Sequence, residues 1–331
     1  MESQRVRISF NTEHQAFNTM KVRRSGLTMP VVTARFIDHA WRRGCDFIVI
    51  DLEDSVPQHL KAHARSLVRD AIPKVSAGGA EAFTRINHDT VKEDLEGAVW
   101  PGLKRIKYPK TEYAHEIRLL DEIITRLEVE RGIPPGTVEI DPGIETAVGV
   151  ANIFEIASAS PRVKEFGAST GGYDLSRDLG VEMFVDFDQF VYSKGEAEIT
   201  ACTLGLGVRA APFLANTTGS VSDGDRALRQ AEAARACGFR LGGGGLNPAV
   251  VEGHNVGLTP TEDDVRAARQ VLEEYQRLEG TSETWIEIEG RIIDRYEAAR
   301  AKALLEWAEA CVEHDRGKAE AVARIKAATD K

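Results

Sequence analysis

The chain has 331 residues, of which 42% are hydrophobic, and its formal net charge is −10. Its length supports a large core, and its acidity argues against nucleic acid or an anionic membrane as the main partner. No apolar run approaches the roughly 18 residues of a membrane span, and the first residues lack the apolar core of a signal peptide. The cysteines lie far apart without metal-type spacing, which predicts free thiols in a cytoplasmic protein: Cys45, Cys202, Cys237 and Cys311.

Eight short apolar runs, most of them followed by a segment of helical periodicity, predict repeated strand–helix units. Such alternation is typical of a parallel sheet, because each crossover needs a helix, and eight units suit a closed (β/α)8 TIM barrel. The alternative is an open doubly wound sheet, but "MPVVTAR" after the first run does not match its G-x-G-x-x-G fingerprint. We therefore predict an α/β barrel over residues 1–260, with strands at 25–31, 46–53, 82–87, 105–110, 137–141, 165–170, 208–214 and 239–245.

Beyond the predicted barrel, the pattern becomes helical. Two long helical segments flank residues 281–294, where apolar and polar residues alternate around a glycine and indicate a small hairpin. A helical tail outside a closed barrel has to bury its apolar face somewhere. We therefore predict that residues 261–331 form a helical lid region that packs on a neighbouring subunit or over the barrel mouth.

The active sites of such barrels lie at the carboxyl ends of the strands. Glu145 and Asp174 follow the fifth and sixth predicted strands, and neighbouring strands lie about 4.8 Å apart, so both carboxylates can reach one ion. Ligation by oxygen alone is typical of Mg²⁺, and the lack of His or Cys at these positions argues against zinc. The alternative is that both residues cap helices or pair with Lys and Arg. Pro142–Gly143 predicts a bulge that breaks the fifth strand.

Two cationic residues also follow predicted strands. Arg85 can hold a carboxylate by two parallel hydrogen bonds, or it can be a structural partner of the acids in "DLED" (51–54), which can also orient it. Lys110 could form a Schiff base, although a nearby metal makes that route redundant. The glycine run at 242–245 can bind phosphate or only permit close packing. Considered alone, Asp294 is typical of an aspartate at the start of a helix.

The order of motifs resembles the citrate lyase β-subunit/malyl-CoA lyase group of the HpcH/HpaI aldolase superfamily. The resemblance covers roughly residues 22–310 and rests on the following runs: "RRSGLTMP", "DFIVIDLEDSVPQHLKAHAR", "RIN", "DLEGAVWPGLKRIKYPK", "IETAVGVANIFEIASASPRV", "GGYDLSRDLG", "LTPTEDDVRAARQVLEEY" and "IEGRIID". It implies a Mg²⁺-dependent barrel, with Mn²⁺ as a possible substitute, that assembles as a trimer or hexamer. The implied reaction cleaves a 3-hydroxyacyl-CoA, such as malyl-CoA or citramalyl-CoA, into an acyl-CoA and a 2-oxo acid.

The resemblance also implies residue roles. Glu145 and Asp174 would be the metal carboxylates, and Arg85 would bind the substrate oxygens. Asp294 would be an acid/base group that a C-terminal lid delivers to a neighbour's site. We place Glu53 with Arg85 and Asp294 in the predicted catalytic set, and we predict substrate contacts at Arg85, Asn87, Lys110, Gly172 and Asn247.

The sequence departs from the group's pattern at the barrel mouth. The eighth strand reads "FRLGGGGLNP" instead of the usual Gly-Lys-x-x-Ile-His-Pro, so the Lys is absent and Asn247 stands in place of the His. Ala210–Ala211 replaces an Asp-Gly pair, and "MPVV" replaces Pro-Gly after the first strand. Three alternatives therefore stand beside the lyase: an aldolase for CoA-free hydroxy-oxo acids, a thioesterase on the same site, and a non-catalytic scaffold.

Overall fold

Eight parallel strands form the centre of the molecule. The structure is a computed structural model, and it describes residues 21–168, 172–182, 188–209, 222–288 and 290–329. The strands pair in the order β7-β6-β5-β4-β3-β2-β1-β8, so the last strand lies beside the first, and this confirms the predicted (β/α)8 arrangement. Residues 210–221, between β7 and β8, lie outside the described residues, and so does the Ala210–Ala211 departure. The strands are β1 (Gly26–Pro30), β2 (Phe47–Asp51), β3 (Glu81–Arg85), β4 (Leu103–Tyr108), β5 (Glu139–Ile144), β6 (Glu165–Ala168), β7 (Gly207–Arg209) and β8 (Gly244–Gly245).

Helices connect the strands and cover the outside of the sheet. The predicted strand ends at 169–170 and 210–214 fall outside the described residues. The connecting helices are α1 (Ala34–Asp38), α2 (Lys61–Ser76), α3 (Val91–Ala98), α4 (Ala114–Glu130), α5 (Ala147–Ala151), α6 (Ile153–Ala157), α7 (Tyr173–Asp178), α8 (Val191–Leu204), α9 (Gly224–Ala236) and α10 (Ala249–Gly257).

The two faces of the sheet differ in chemistry. Side chains alternate along a strand, and the outward set, such as Ile48, Ile106 and Ile140, joins the large apolar core under the helices. The inward set contains a small separate cluster, Phe47 with Val49 and Phe83, and otherwise many charged residues. The interior of the barrel is therefore partly polar.

The fifth strand runs unbroken from Glu139 to Ile144, so the predicted break at Pro142–Gly143 is wrong, although the pairing on one side shifts there by one residue. Pro142 pairs with Tyr108 of β4, and Gly143 pairs with Gly167 of β6. The ladder with β4 runs regularly as far as Pro142. On the other side, Ile140 bridges Val163 and the pairs with β6 begin at Gly143 with Gly167, so the register shifts by one residue across the proline.

The C-terminal part contains α11 (Glu262–Gln276), the predicted hairpin as β9 (Trp285–Ile288) and β10 (Arg291–Asp294), and α12 (Arg295–Thr329). The hairpin and both helices share a small apolar core around Val271 and Ile293. The later part of α12 packs on the barrel of the same chain, where Trp307 Nε1 donates to the Leu258 carbonyl at 3.1 Å. The domain boundary at residue 260 and packing on a neighbouring subunit remain predictions.

Two further features bear on the sequence expectations. Within the described ranges, no helix combines the length and the apolar character that crossing a bilayer requires. All four cysteines are free; Cys45 and Cys311 are buried, and Cys202 and Cys237 are exposed.

Candidate active site

Arg85 is held at the carboxyl end of β3 by a carboxylate on the neighbouring strand. Asp51 is its register partner at the end of β2. Arg85 Nε donates to Asp51 Oδ1 at 2.7 Å and Nη2 donates to Oδ2 at 2.8 Å, the two-bond arrangement that suits a guanidinium. Burial acts to raise the pKa of Asp51, but the hydrogen bonds and charge of Arg85 outweigh it and hold the pKa below its usual value. The pair is therefore ionised and rigid.

Asp51 and Glu53 also shape the loop after β2. Asp51 accepts from the Ser55 backbone N–H at 3.1 Å and from the Ser55 hydroxyl. Glu53 is buried; its Oε2 lies 2.8 Å from Arg85 Nη1, and its Oε1 accepts from Lys110 Nζ at 2.7 Å. Glu53 therefore links the two cationic residues predicted at the site.

Lys110 contacts three acidic residues, and its backbone has an unusual conformation. Its φ of +51° is the one positive φ of a residue other than glycine in the described ranges, and this region costs an L-residue roughly 1–2 kcal/mol. Its N–H donates to Glu145 Oε2 at 3.3 Å, while Nζ, bound to Glu53, lies 4.0 Å from Asp174 Oδ1. Strained residues that the surrounding structure holds in place cluster at functional sites.

The two predicted metal carboxylates lie in the same mouth. Glu145 directly follows β5, whereas Asp174 lies on the first turn of α7, beyond the end of β6 rather than at it. Burial is the main cause that raises the pKa of Glu145, and the negative charge of Asp174 adds to it, with the charges of Lys110 and Lys107 opposing the shift. The two negative charges therefore repel each other, and a cation between them would reduce this repulsion.

The mouth carries an excess of negative charge. Among the described residues, the cations that contact the carboxylates of Asp51, Glu53 and Asp174 are Arg85, Lys110 and the solvent-exposed Arg177. Lys61 bonds the Glu53 carbonyl, and Lys107 acts on Glu145 from the level below. Over direct contacts, four carboxylates meet two partly buried cations, Arg85 and Lys110, which favours binding of a cation at the mouth. In the described part of the chain, no three His, Cys, Asp or Glu side chains are placed to hold a metal together. Two carboxylates, with water and substrate oxygens at the other positions, fit a hard cation such as Mg²⁺.

Asn87, a predicted substrate contact, is tied into the fold. Its amide donates to the Leu52 carbonyl at 2.9 Å and to Asp94 at 2.6 Å, and its Oδ1 accepts from Lys61 Nζ at 2.6 Å. These bonds hold the loops after β2 and β3 together. A direct contact between Asn87 and substrate remains a prediction.

The remaining predicted residues lie at helix starts. Gly172 has a φ of +72° and precedes α7, and Asn247 Oδ1 accepts from the Ala249 N–H at 3.0 Å at the start of α10. Asp294 Oδ1 accepts from the Tyr296 and Glu297 N–H groups at 2.8 and 3.0 Å, so it caps α12. These contacts do not join Asp294 to Glu145 or Asp174, and its action across subunits remains a prediction.

Sequence reasoning missed a charged layer deeper in the barrel. Arg105 and Lys107 of β4 are register partners of Glu139 and Asp141 of β5, and Arg209 of β7 bonds both Asp141 and Glu165. The sequence did contain an indication of this layer, since charged and apolar residues alternate in "RIKY" and "VEID" as they do in strands. That alternation usually indicates a strand with one solvent-exposed face, whereas the curved sheet turns the charged face inward.

Fold and site together define an α/β-barrel enzyme with an acidic mouth. Residues 24–243 match the family model of the HpcH/HpaI aldolase/citrate lyase family, and the chain belongs to that family. It is 29% identical over 88% of its length to the citrate lyase subunit beta of Leuconostoc mesenteroides subsp. cremoris, of which 95% is covered. It is 27% identical over 80% of its length to an L-malyl-CoA/beta-methylmalyl-CoA lyase of Cereibacter sphaeroides, of which 87% is covered.

A solved structure gives the same fold. Protein CitE from Mycobacterium tuberculosis, crystallised with magnesium, acetoacetate and coenzyme A, aligns with a TM-score of 0.61 at 21% identity, covering 86% of this chain and 97% of that one. The relatives named as citrate lyase β-subunits and malyl-CoA lyases indicate that this chain is a carbon–carbon lyase. The family predicted from the motifs is confirmed.

Proposed function

We propose that the protein is a Mg²⁺-dependent lyase that cleaves a 3-hydroxyacyl-CoA into an acyl-CoA and a 2-oxo acid. The observation that carries the proposal is the proximity of two like-charged carboxylates, Glu145 and Asp174, in a mouth that also holds a rigid arginine. Support comes from relatives whose names include malyl-CoA lyase, and from a structural neighbour crystallised with magnesium and coenzyme A. Malyl-CoA and citramalyl-CoA are the substrates to test first.

Glu145 and Asp174 would hold the metal, which is Mg²⁺ or, as a substitute, Mn²⁺. When bound there, the ion supplies positive charge that stabilises the oxygen of the forming 2-oxo acid. Glu145 is positioned by the Lys110 N–H and by its place directly after β5, and Asp174 by the first turn of α7. Both side chains retain exposed surface, so an ion can reach them from the mouth.

Arg85 would orient the 2-oxo acid. A guanidinium has five N–H donors; Asp51 accepts two of them, and Glu53 lies beside a third. Two donors therefore remain for substrate oxygens, in a geometry that Asp51 fixes in advance. Fixed donors stabilise developing charge without reorganising during the reaction.

A proton must leave the substrate hydroxyl and another must reach the enolate carbon of the acyl part. We assign this acid/base role to Asp294 of a second subunit in a trimer or hexamer, because its hydrogen bonds to the described residues of its own chain cap α12 and do not reach the mouth. Glu53 completes the catalytic set by holding Arg85 and Lys110 in place. Lys110, Gly172, Asn247 and Asn87 would line the substrate path, and the setting would be cytoplasmic.

One assay separates this function from its alternatives. Purified protein is incubated with a panel of 3-hydroxyacyl-CoAs and of free hydroxy-oxo acids, with Mg²⁺ or with EDTA. The proposal expects 2-oxo acid and acyl-CoA together, lost in EDTA and restored by Mg²⁺. Cleavage of the free acids alone would identify a CoA-free aldolase, release of CoA without carbon–carbon cleavage a thioesterase, and no turnover a non-catalytic protein.

A further inference from the structure

Lys61, the first residue of α2, is a cation beside the mouth whose three hydrogen bonds all go to uncharged oxygens. Its Nζ donates to the Leu52 carbonyl at 2.7 Å, to the Glu53 carbonyl at 2.7 Å and to Asn87 Oδ1 at 2.6 Å. An ammonium has three N–H donors, so these bonds leave none for a ligand. The side chain can therefore hold the surrounding structure in place, but it does not bind substrate in this arrangement.

The bonds of Lys61 complete the support of the main chain directly after β2. The Leu52 N–H donates to the Arg85 carbonyl at 3.0 Å, and the Glu53 N–H donates to Asp51 Oδ1 at 3.2 Å. The carbonyls of the same two residues accept from Lys61. The N–H and the carbonyl of two consecutive residues are thus hydrogen-bonded, and one ammonium holds both carbonyls. Main chain that is bonded on both sides in this way gives Glu53 a fixed starting point for its side chain.

The position of the Glu53 main chain matters because the side chain serves two cations at once. Its Oε2 lies 2.8 Å from Arg85 Nη1, and its Oε1 accepts from Lys110 Nζ at 2.7 Å. Because both contacts come from one carboxylate, a shift of the Glu53 main chain disturbs both cations together. A misplacement of about 1 Å at an active site can cost about 100-fold in rate. The hydrogen bonds of Lys61 therefore bear on the geometry of Arg85 and Lys110, although Lys61 contacts neither of them through its Nζ donors.

A second cation of α2 supports the neighbouring loop. Arg65 lies one turn after Lys61 on the same face of the helix, and its Nε donates to Asp94 Oδ1 at 2.6 Å. Asp94 Oδ2 in turn accepts from the Asn87 N–H at 2.7 Å. Arg65 therefore supports the loop after β3, whereas the two carbonyl bonds of Lys61 support the loop after β2. A comparison of the two residues separates support of Glu53 from support of the mouth in general.

We propose that Lys61 is a positioning residue for the reaction: it fixes the main chain of Glu53, and Glu53 in turn sets the positions of Arg85 and Lys110. The proposal rests on the proposed function for the role of Arg85 in orienting the 2-oxo acid. Since Lys61 holds the main chain and has no donor left for substrate, its loss should reduce kcat far more than it changes KM.

Steady-state kinetics of Lys61→Met, which keeps an unbranched side chain without a donor, test this expectation. The variant should lose about tenfold or more in kcat with KM within about threefold of wild type, and Lys61→Arg, which keeps the charge and the donors, should recover part of the loss. Arg65→Met is the matched control, because it removes a partly buried ion pair from the same helix face, and its kcat should stay within about threefold of wild type. Equal losses in Lys61→Met and Arg65→Met would overturn the proposal.

A double-mutant cycle tests whether Lys61 acts through Glu53. Once Glu53→Gln has weakened the contacts to both cations, adding Lys61→Met should cost less than about threefold in kcat, because the link is already broken. The same cost in the wild-type and Glu53→Gln backgrounds would show that Lys61 acts independently of Glu53, which would also overturn the proposal.

Hydrogen exchange of the main chain, followed by mass spectrometry, tests the same link without turnover. In Lys61→Met, the amides of residues 52–56 should exchange about tenfold or more faster than in wild type, and in Arg65→Met the faster exchange should fall on residues 87–94 instead. Unchanged exchange at residues 52–56 overturns the proposal. Faster exchange there, in a chain that cleaves no acyl-CoA, would refute the lyase function and leave the support of Glu53 by Lys61 standing. If Lys61→Met does not fold, Lys61→Gln replaces it, with smaller effects expected in the same direction.

Discussion

Arg85 reaches the barrel mouth already held on two sides, by Asp51 through two hydrogen bonds and by Glu53 through a third contact. Its side chain is only 23% exposed. Side chains fixed in this way lose little entropy when a ligand binds, which favours precise orientation of a carboxylate. At this scale, the geometry of the site depends on acidic partners that never need to touch the substrate.

Replacing Arg85 with lysine should reduce kcat/KM about 100-fold or more, because an ammonium cannot reproduce the planar grip and a small misplacement is costly. Steady-state assays with the acyl-CoA substrate measure the loss, and circular dichroism checks that the fold survives. Arg126→Lys, on the exposed surface of α4, is the matched control and should be unaffected. Near-normal turnover of Arg85→Lys would show that the residue is only structural.

The backbone of Lys110 makes a separate prediction about stability. Both Lys110→Gly and Lys110→Ala remove the ammonium, but only alanine keeps a Cβ at a φ of +51°. We expect the glycine variant to have the higher free energy of unfolding, by about 1 kcal/mol, because glycine adopts positive φ without strain. Urea denaturation of the two variants measures the difference. Equal stability would mean that the positive φ is not maintained in solution.

At the scale of elements, α12 is joined to the base of its own barrel. Asp46, directly before β2, accepts hydrogen bonds from Arg24 and from Lys318 of α12, and it lies 3.1 Å from His314 Nε2. Burial acts to raise the pKa of Asp46, but the hydrogen bonds of His314 and Arg24 and the charges of Arg24 and Lys318 reverse the shift and hold the pKa well below its usual value. One carboxylate therefore connects the first two strands to the last helix.

Asp46→Asn should lower the free energy of unfolding by about 3 kcal/mol near neutral pH, since it removes the buried carboxylate from Arg24 and Lys318 and leaves them to share the half-exposed Asp315. The pKa of Asp46 is depressed in the folded state, so its contribution is fully present above the unfolded-state pKa of about 3.9 and is lost as pH falls toward the folded value. Denaturant curves should show a constant gap between wild type and variant from about pH 5 to 8, shrinking below about pH 4.

Asp38→Asn removes an exposed pair with Lys74 and is the control, with little effect expected. A gap that stays constant down to the acid limit would show that the ionisation of Asp46 does not contribute to stability.

At the scale of the whole molecule, the barrel separates two fields of charge. The mouth holds more carboxylates than cations, and the layer below it joins four cations to four carboxylates: Arg23, Arg105, Lys107 and Arg209 with Glu81, Glu139, Asp141 and Glu165. The curvature of the sheet makes this possible, because side chains from several strands meet at one level. Among the described residues, the Asp294 carboxylate caps α12 outside the barrel, whereas the other predicted catalytic groups, Arg85 and Glu53, lie at the mouth.

The predicted oligomer can be tested by complementation. Asp294→Asn and Glu145→Ala subunits should each be inactive, and co-expression with separable tags should restore part of the activity, because some sites in a mixed oligomer have both residues intact. Light scattering measures the oligomeric state, and tandem purification confirms mixed assemblies. If verified mixed oligomers remain inactive, or if Asp294→Asn alone is fully active, the role of Asp294 across subunits is wrong.

The sequence by itself determined the order of strand–helix units and the set of residues at the strand ends. Both follow from local pattern, since apolar runs mark strands, and the barrel rule places Arg85, Lys110 and Glu145 at one rim. The C-terminal hairpin followed from alternation and a glycine in the same way. These features depend on neighbours close in the chain, so they can be read without knowing the fold.

Only the tertiary structure decided which charges meet. Arg105 and Glu165 are 60 residues apart, and Arg24 and Asp315 are 291 apart; nothing local in the sequence selects such partners. The positive φ of Lys110, the continuity of β5 through Pro142 and the place of Asp174 on a helix also depend on packing. The physical reason is that a buried charge takes its partner from whichever strand or helix the fold brings to the same level, and sequence spacing does not specify that level.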